Sequence, residues 1–492
     1  MSYAMLMPVA RHWLMASLLT LSDAIAAILL AADLAVVCVS VALRYWFNAP
    51  VEWADDVARG LMVASSFFGA ASALARSENL GVAYFIERLP SSVRRVVEAV
   101  TALLMTIIAA YVAFNALKLG SLTAGQTTGS GLPLELTFYP MGVGAAFMTV
   151  FALDIFRKRT FGEMIAGIVT TALVAGLYLL WDYLSPDSVP SSGMLMLVGF
   201  FVTLFGGLPI GFALALAALI FIWVEGTLPG VIFAQQMARG IDNFVLLAIP
   251  FFILVGYLME ANGMSVRLIE LLQRAVGRVR GGLNVVMVTS MVLFSGISGS
   301  KMADVAAVGS VLIPAARRTR QNPGSAVALL AASAVMAETI PPCINLIILG
   351  FVANLSIGGL FVAGLLPAGL MAVALIAVSI VFGRRPAHAE EAQPRQVKGL
   401  WSGALASFGL IFMIFFGFKS GFATATEISA FAAVYAIVVG SVLFRELSVR
   451  AAAHSFIQAA TRSGLVLFIV AAAQSLAFIL TLQQVPHAVG EV

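Results

Sequence analysis

Two short clusters place side chains able to bind ions or solutes in the middle of apolar segments of this chain. The first is Ser298-Gly299-Ser300-Lys301; the second is Glu338 with Pro341-Pro342-Cys343 and Asn345. Serine hydroxyls and turn carbonyls are hard oxygen ligands, and Gly299 lets the backbone turn sharply enough to aim them, so sodium is expected at Ser298, Gly299 and Ser300. The paired prolines free the carbonyls upstream of them, and Asn345 donates or accepts hydrogen bonds. Asp304 follows Ser300 by one helical turn and either supports that tip or makes an interior structural hydrogen bond. A tight turn and a proline kink are the purely structural readings of the same residues.

Both clusters interrupt apolar segments. Gly281 to Pro314 reads GGLNVVMVTSMVLFSGISGSKMADVAAVGSVLIP, and each arm is too short to cross roughly 30 Å of hydrocarbon. It is expected to enter and leave on one side as a re-entrant hairpin. The segment Ala326 to Leu355 breaks at Pro341-Pro342. Two interrupted segments side by side point to a solute and cation site, because unwound backbone offers carbonyls and half-helix ends offer N–H groups.

The whole chain agrees with a lipid setting. Of 492 residues, 61% are hydrophobic and 11% charged, and the mean hydropathy is +1.01, so the expected fold is an all-α, polytopic membrane protein spanning the lipid bilayer. The net charge of +4 comes from short basic loops, which orient a membrane protein and do not imply nucleic acid. No HExxH pattern or pair of intramembrane aspartates supports an enzyme. His12, His388, His454 and His487 sit in loops or connectors, and Cys38 and Cys343 in different apolar segments, so neither a metal centre nor a disulfide framework is expected.

Four apolar runs, Ser22 to Phe47, Val57 to Ala75, Val97 to Leu119 and Tyr139 to Phe156, are expected to span. Arg11 precedes the first, Arg76, Arg88, Arg94 and Arg95 lie between the second and third, and Arg157-Lys158-Arg159 follows the fourth, whereas the loop between the third and fourth has only Glu135, which puts both ends of this bundle in the cytoplasm. Met164 to Leu184 then crosses outward. The run from Gly193 to Val224 is long enough for one tilted helix, but the loop charges that follow favour two short spans turning at Gly206 to Pro209. Asn243 to Asn262, Ile357 to Phe382, Leu400 to Phe418, Glu427 to Phe444 and Gly464 to Leu482 complete the spans, with Thr426 before an acidic first turn as a helix start. The expected organisation is a four-helix domain over 1–160, a linking helix and outward turn over 161–192, a first repeat over 193–385, a basic linker over 386–400, and an inverted second repeat over 401–492. That second repeat is expected to lack its own hairpin and broken helix, leaving the transporter incomplete.

In the second half, LLAIPFFILVGYLMEANG, the hairpin sequence above, TIPPCINLIILG, LSIGGLFVAGLLPAG and GFATATEISA resemble, in order, the large membrane subunit of the tripartite ATP-independent periplasmic (TRAP) transporters. In the first half, LRYWFNAPVEWADDVARGLMVASSFFGAASALARSENLGV resembles the small subunit through Arg44, Trp53, Asp55, Asp56 and Gly69. The resemblance implies a multi-pass protein of the bacterial inner membrane with both subunits fused. It implies sodium-coupled uptake of a small organic acid anion, delivered by a periplasmic substrate-binding protein, through an elevator motion. A channel, or a proton-coupled carrier independent of a binding protein, is the competing class.

Two positions depart from the family pattern. Lys301 stands where a small hydroxyl residue is usual, and Cys343 replaces a usual serine. The Lys301 ammonium can occupy a cation position, pair with Glu338, contact a substrate carboxylate, or snorkel to a cytoplasmic cavity.

Overall fold

Lipid offers no hydrogen bonds to a peptide, so each apolar run must satisfy its N–H and C=O groups internally, and helices result. The computed structural model describes residues 13–78, 81–82, 84–185, 190–276, 280–298, 301–318, 322–382 and 399–485, with the backbone only at 296–298, 301–303, 307, 318 and 337. Among the described residues, ten helices are long and apolar enough to cross a membrane. Packing divides the chain into two units. One comprises Met1–Asp33, Val51–Asn243 and Ala460–Val492, the other Leu34–Pro50 and Phe244–Ala459. Helices α1 (Trp13–Phe47) and α18 (Val449–Leu482) contribute residues to both.

The first unit is built on α2 (Trp53–Ala75), α3 (Ser91–Leu122) and α4 (Glu135–Arg157). Helix α2 is the most enclosed, with a continuous buried stretch from Met62 to Ala75. Ser22 of α1 donates to the Phe68 carbonyl, and Asp23 pairs with Arg76. Helix α5 (Phe161–Leu184) starts on a capping box between Thr160 and Glu163 and buries only Gly167. Helices α6 (Ser192–Phe205) and α7 (Ile210–Glu225) pack on each other around Gly206 to Pro209, where Gly207 takes φ +79°, a conformation that costs glycine little. These are the two short segments expected from that punctuation. At about 1.5 Å per residue, each is only about 20–25 Å long.

The C-terminal part of α18 completes this unit by direct backbone contact with α2. A Cβ added at Gly464 would lie 2.6 Å from the Ala70 nitrogen and 2.7 Å from the Gly69 Cα, and one at Gly69 would lie 2.1 Å from the Ala460 carbonyl oxygen. Phe468, one turn further along, meets Phe67 edge-on at 6.0 Å and Phe212 of α7 at 5.1 Å. Arg76 donates to Thr461, and Ser475 to the Phe233 carbonyl of α8 (Val231–Ile241).

The second unit opens with the 3-10 turn Phe244–Leu247 and α9 (Ala248–Ala261), followed by the amphipathic α10 (Met264–Val276). Helices α11 (Gly282–Ser298), α12 (Lys301–Arg318) and α13 (Pro323–Met336) share a core with α10. It holds Leu268, Met287, Met291, Phe294, Leu312 and Leu330. Helices α14 (Ile344–Val352), α15 (Ile357–Val381), α16 (Leu400–Ser420) and α17 (Ala425–Val438) follow, and α17 continues as a π-helical turn over Val439–Leu443. Just beyond that turn, buried Arg267 makes a two-pronged ion pair with Glu446 at 2.6 and 2.9 Å and lies over the Phe444 ring.

Two sequence expectations change. The cap of α17 is Thr424, which shares a capping box with Glu427; Thr426 instead donates to the Phe244 carbonyl. The spacing of a capping box, three residues from cap to carboxylate, decides between the two threonines. The polar stretch before Gly464 is not a separate connector, because α18 runs unbroken from Val449 to Leu482; no proline or glycine pair interrupts its backbone ladder.

Two predictions follow from this packing. Gly464→Val forces a side chain into backbone that cannot yield, and should cost about 1–3 kcal/mol; a lowered unfolding midpoint in detergent would register it, whereas Gly176→Ala, in open space on α5, should be neutral or stabilising. Hydrogen bonds from Arg267 lower the Glu446 pKa against the opposing effect of burial. A carboxylate with a depressed native pKa contributes stability above its unfolded value, about 4.3, and loses it as pH falls through the native one. Glu446→Gln should therefore flatten the dependence of unfolding midpoint on pH below about pH 5.

Candidate functional site

The second unit brings the two interrupted elements together. Helix α11 ends at Ser298 and α12 begins at Lys301, and the two pack against each other as the arms of a hairpin. Gly299 and Ser300, central to the expected sodium ligands, lie outside the described residues, as do the side chains of Ser298 and Lys301. Asp304 sits in the first turn of α12 and is buried.

The broken segment is described throughout its main chain. Helix α13 ends at Met336, a 3-10 turn runs over Ala337–Thr339, and Pro341, Pro342 and Cys343 are buried before α14 starts. Cys343 is extended, with φ −104° and ψ 128°, and supplies no side-chain cap to α14. The positive end of this nine-residue helix therefore faces the break. Across the gap, the half-buried Glu338 carboxylate accepts a hydrogen bond from the Asn345 side-chain amide, and the Cys343 sulfur lies 3.6 Å from the same Oε2. The Thr339 hydroxyl turns back to the Met336 carbonyl at 2.8 Å.

Glu338, Cys343 and Asn345, grouped in the sequence by their nearness to the proline break, thus meet at one carboxylate that ties the two half-helices to each other. A carboxylate, an amide and an uncapped helix start can together receive a cation on one side and an anion on the other. Among the described residues, no group of three or more His, Cys, Asp and Glu side chains is arranged to hold a metal ion. The hairpin backs this cluster directly: Val288 of α11 packs with Met336, Ile340 of the break and Ala368 of α15.

Gly364 is a residue the sequence reading passed over. A Cβ there would stand 2.4 Å from the Thr339 carbonyl oxygen, so α15 lies against the unwound turn only because this position lacks a side chain. Its signal was present, a lone glycine in the bulky run LFVAGLL. A second is the ion pair of Arg44, at the end of α1, with Glu427, which also caps α17 and is almost fully buried. Beside it Tyr45 stacks on Phe422 at 4.8 Å and donates to its carbonyl at 2.6 Å. The partners stand 383 positions apart, and no local pattern links them.

Residues 197–492 match the family described as tripartite ATP-independent periplasmic transporter, DctM component, and residues 33–162 match the DctQ component. The chain is 37% identical over 290 residues to the 2,3-diketo-L-gulonate TRAP transporter large permease protein of Escherichia coli, covering 58% of this chain and 68% of that protein. It is 29% identical over 455 residues to the isethionate TRAP transporter permease protein of Oleidesulfovibrio alaskensis, covering 90% and 70%. To the sialic acid TRAP transporter permease protein of Haemophilus influenzae it is 25% identical over 471 residues, covering 91% and 76%.

Gly364→Leu should displace the Thr339 carbonyl and with it the Glu338 to Asn345 bridge. The expected result is a loss of stability of about 1–3 kcal/mol, with faster alkylation of buried Cys343 in a Cys38→Ser background. Gly369→Leu, whose position has open space around it, should leave the alkylation rate unchanged.

Proposed function

The chain belongs to the tripartite ATP-independent periplasmic transporters, with its small and large membrane components fused, and on that premise we propose sodium-coupled uptake of a carboxylate-bearing solute delivered by a periplasmic substrate-binding protein. Members of this family are multi-pass transporters of the bacterial inner membrane rather than enzymes. The single observation that carries the reading is the Glu338, Cys343 and Asn345 cluster at the uncapped start of α14, packed behind by the hairpin. A half-helix N-terminus favours a carboxylate, and nearby hydroxyl, carbonyl and carboxylate oxygens favour a hard cation. Permeases related to this one carry names for 2,3-diketo-L-gulonate, isethionate and sialic acid, all acids.

An elevator motion is the mechanism proposed. The division of the chain supports it: the hairpin and the broken helix fall in one compact unit, while α2 to α8 and the end of α18 fall in the other. In this mechanism the first carries the solute and the second holds position in the bilayer. Sodium is assigned to the tip at Ser298, Gly299 and Ser300, and Lys301 is assigned as the partner of Glu338 beside it. Both assignments rest on the residue types and on the placement of the two breaks.

Proteoliposomes loaded with no sodium and given labelled organic acids test this reading. Uptake should require an inward sodium gradient and the cognate binding protein together; uptake indifferent to both would overturn it. Lys301→Ala and Glu338→Ala should each lower the uptake rate by at least about tenfold, and the proposed pair is refuted if neither changes the rate or its sodium dependence.

A further inference from the structure

We propose that Asp33 of α1 is a proton-binding site, its carboxyl holding the acid form in the packed first unit at neutral pH. Asp33 is fully buried, and neither of its oxygens has a hydrogen-bond partner. The nearest charges on its own helix, Asp23 and Arg44, each stand about 15 Å away along the axis. Asp23 pairs with Arg76 and Arg44 with Glu427, so both are already engaged. Those two levels lie roughly 30 Å apart, the thickness of the hydrocarbon, and Asp33 falls midway between them. An ionisable residue at that depth needs a partner or a path to water. Its side chain is too short to reach either boundary, as a lysine or arginine would.

The surroundings are apolar. Asp33 continues the buried stripe of Ser22, Ala26, Leu30, Val37 and Val41, which at the Ser22 level meets Phe68 and Ser72 of α2. The enclosed stretch of α2, Met62 to Ala75, contains no ionisable residue. The charges of α2 are confined to its first turns, where Arg59 is held by Asp56 and Asp242. Among the described residues no charged group acts on Asp33 from any other element. A buried carboxylate with neither a donor nor a counter-charge is so costly that the group takes a proton instead. The acid form brings its own donor, which a main-chain carbonyl one turn back on α1 can accept. A hard cation would not serve in its place: it needs several oxygen ligands, and Leu30 and Val37, the buried neighbours one turn away, supply none. Helix α1 therefore packs with uptake of one proton from water, and the carboxyl releases it when Asp33 is exposed.

Infrared spectroscopy of the full chain in detergent at neutral pH reads the proton directly, because the C=O stretch of a carboxylic acid lies apart from the bands of a carboxylate. Carbon-13 in the side-chain carboxyls of aspartate should shift an acid band in the parent chain, and Asp33→Asn should remove that band. A parent spectrum with no aspartate acid band overturns the proposal whether or not any variant folds, and so does a band that Asp33→Asn leaves in place. Stability gives a second reading. The unfolded chain releases the proton above the ordinary aspartate value of about 3.9 while the native state keeps it, so stability falls as pH rises. Between about pH 5 and pH 8 the folding equilibrium constant of the parent should drop by up to about tenfold per pH unit. Asp33→Asn and Asp33→Leu should each flatten that slope by the same amount. Equal slopes in the parent and both variants would overturn the assignment.

Discussion

Much of this structure depends on two helices touching through their backbones at Gly69 and Gly464. In lipid, apolar side chains gain nothing by turning from acyl chains to one another, so association rests on close packing and on the few polar bonds available. Glycine at both positions removes the side chains that would hold α2 and α18 apart, and Phe67, Phe212 and Phe468 fill the space alongside. The contact joins a helix of the DctQ-like region to one of the DctM-like region. The family boundary in the sequence is therefore not a packing boundary: α6, α7, α8 and the end of α18 consolidate with the four-helix domain.

The second unit follows the opposite logic. Its broken segment between α13 and α14 gives up helical hydrogen bonds, which in an apolar setting is tolerated only where protein supplies replacements or a cavity is lined. Asn345 bridging to Glu338 is one such replacement, and the approach of Gly364 to the Thr339 carbonyl shows how closely α15 supports the unwound turn. An unwound backbone held by specific side chains keeps groups available for a ligand that a continuous helix would have consumed.

Hydropathy and proline made most of the secondary structure legible. The apolar runs end within a few residues of the helices, since lipid leaves an apolar segment little alternative to helix. Pro341-Pro342 and Gly206 to Pro209 marked real breaks because both residues act on the backbone locally. The candidate site was half legible: Glu338, Cys343 and Asn345 were named, but nothing in their order showed that one carboxylate gathers the other two. What stayed hidden was long-range. Arg44 with Glu427, Gly69 with Gly464 and Arg267 with Glu446 each depend on tertiary contact, which residue type and local spacing do not encode. The continuity of α18 was missed for another reason: its first turns are polar enough to read as a connector, and helix propensity carries through where hydropathy falls.

Helix α5 contributes almost no buried surface, yet it has a consequence of its own. Its 24 residues join the DctQ-like and DctM-like regions covalently, which converts their meeting from a bimolecular encounter into a local search. At an effective concentration of about millimolar, the value for a short flexible linker, an interface with an intrinsic dissociation constant near 1 μM would be closed about 99.9% of the time. The fusion also fixes the stoichiometry at one to one at synthesis, whatever the expression level. A glycine-mediated contact of modest strength is therefore sufficient here, whereas two separately made subunits would need a tighter interface to remain associated in the plane of the membrane.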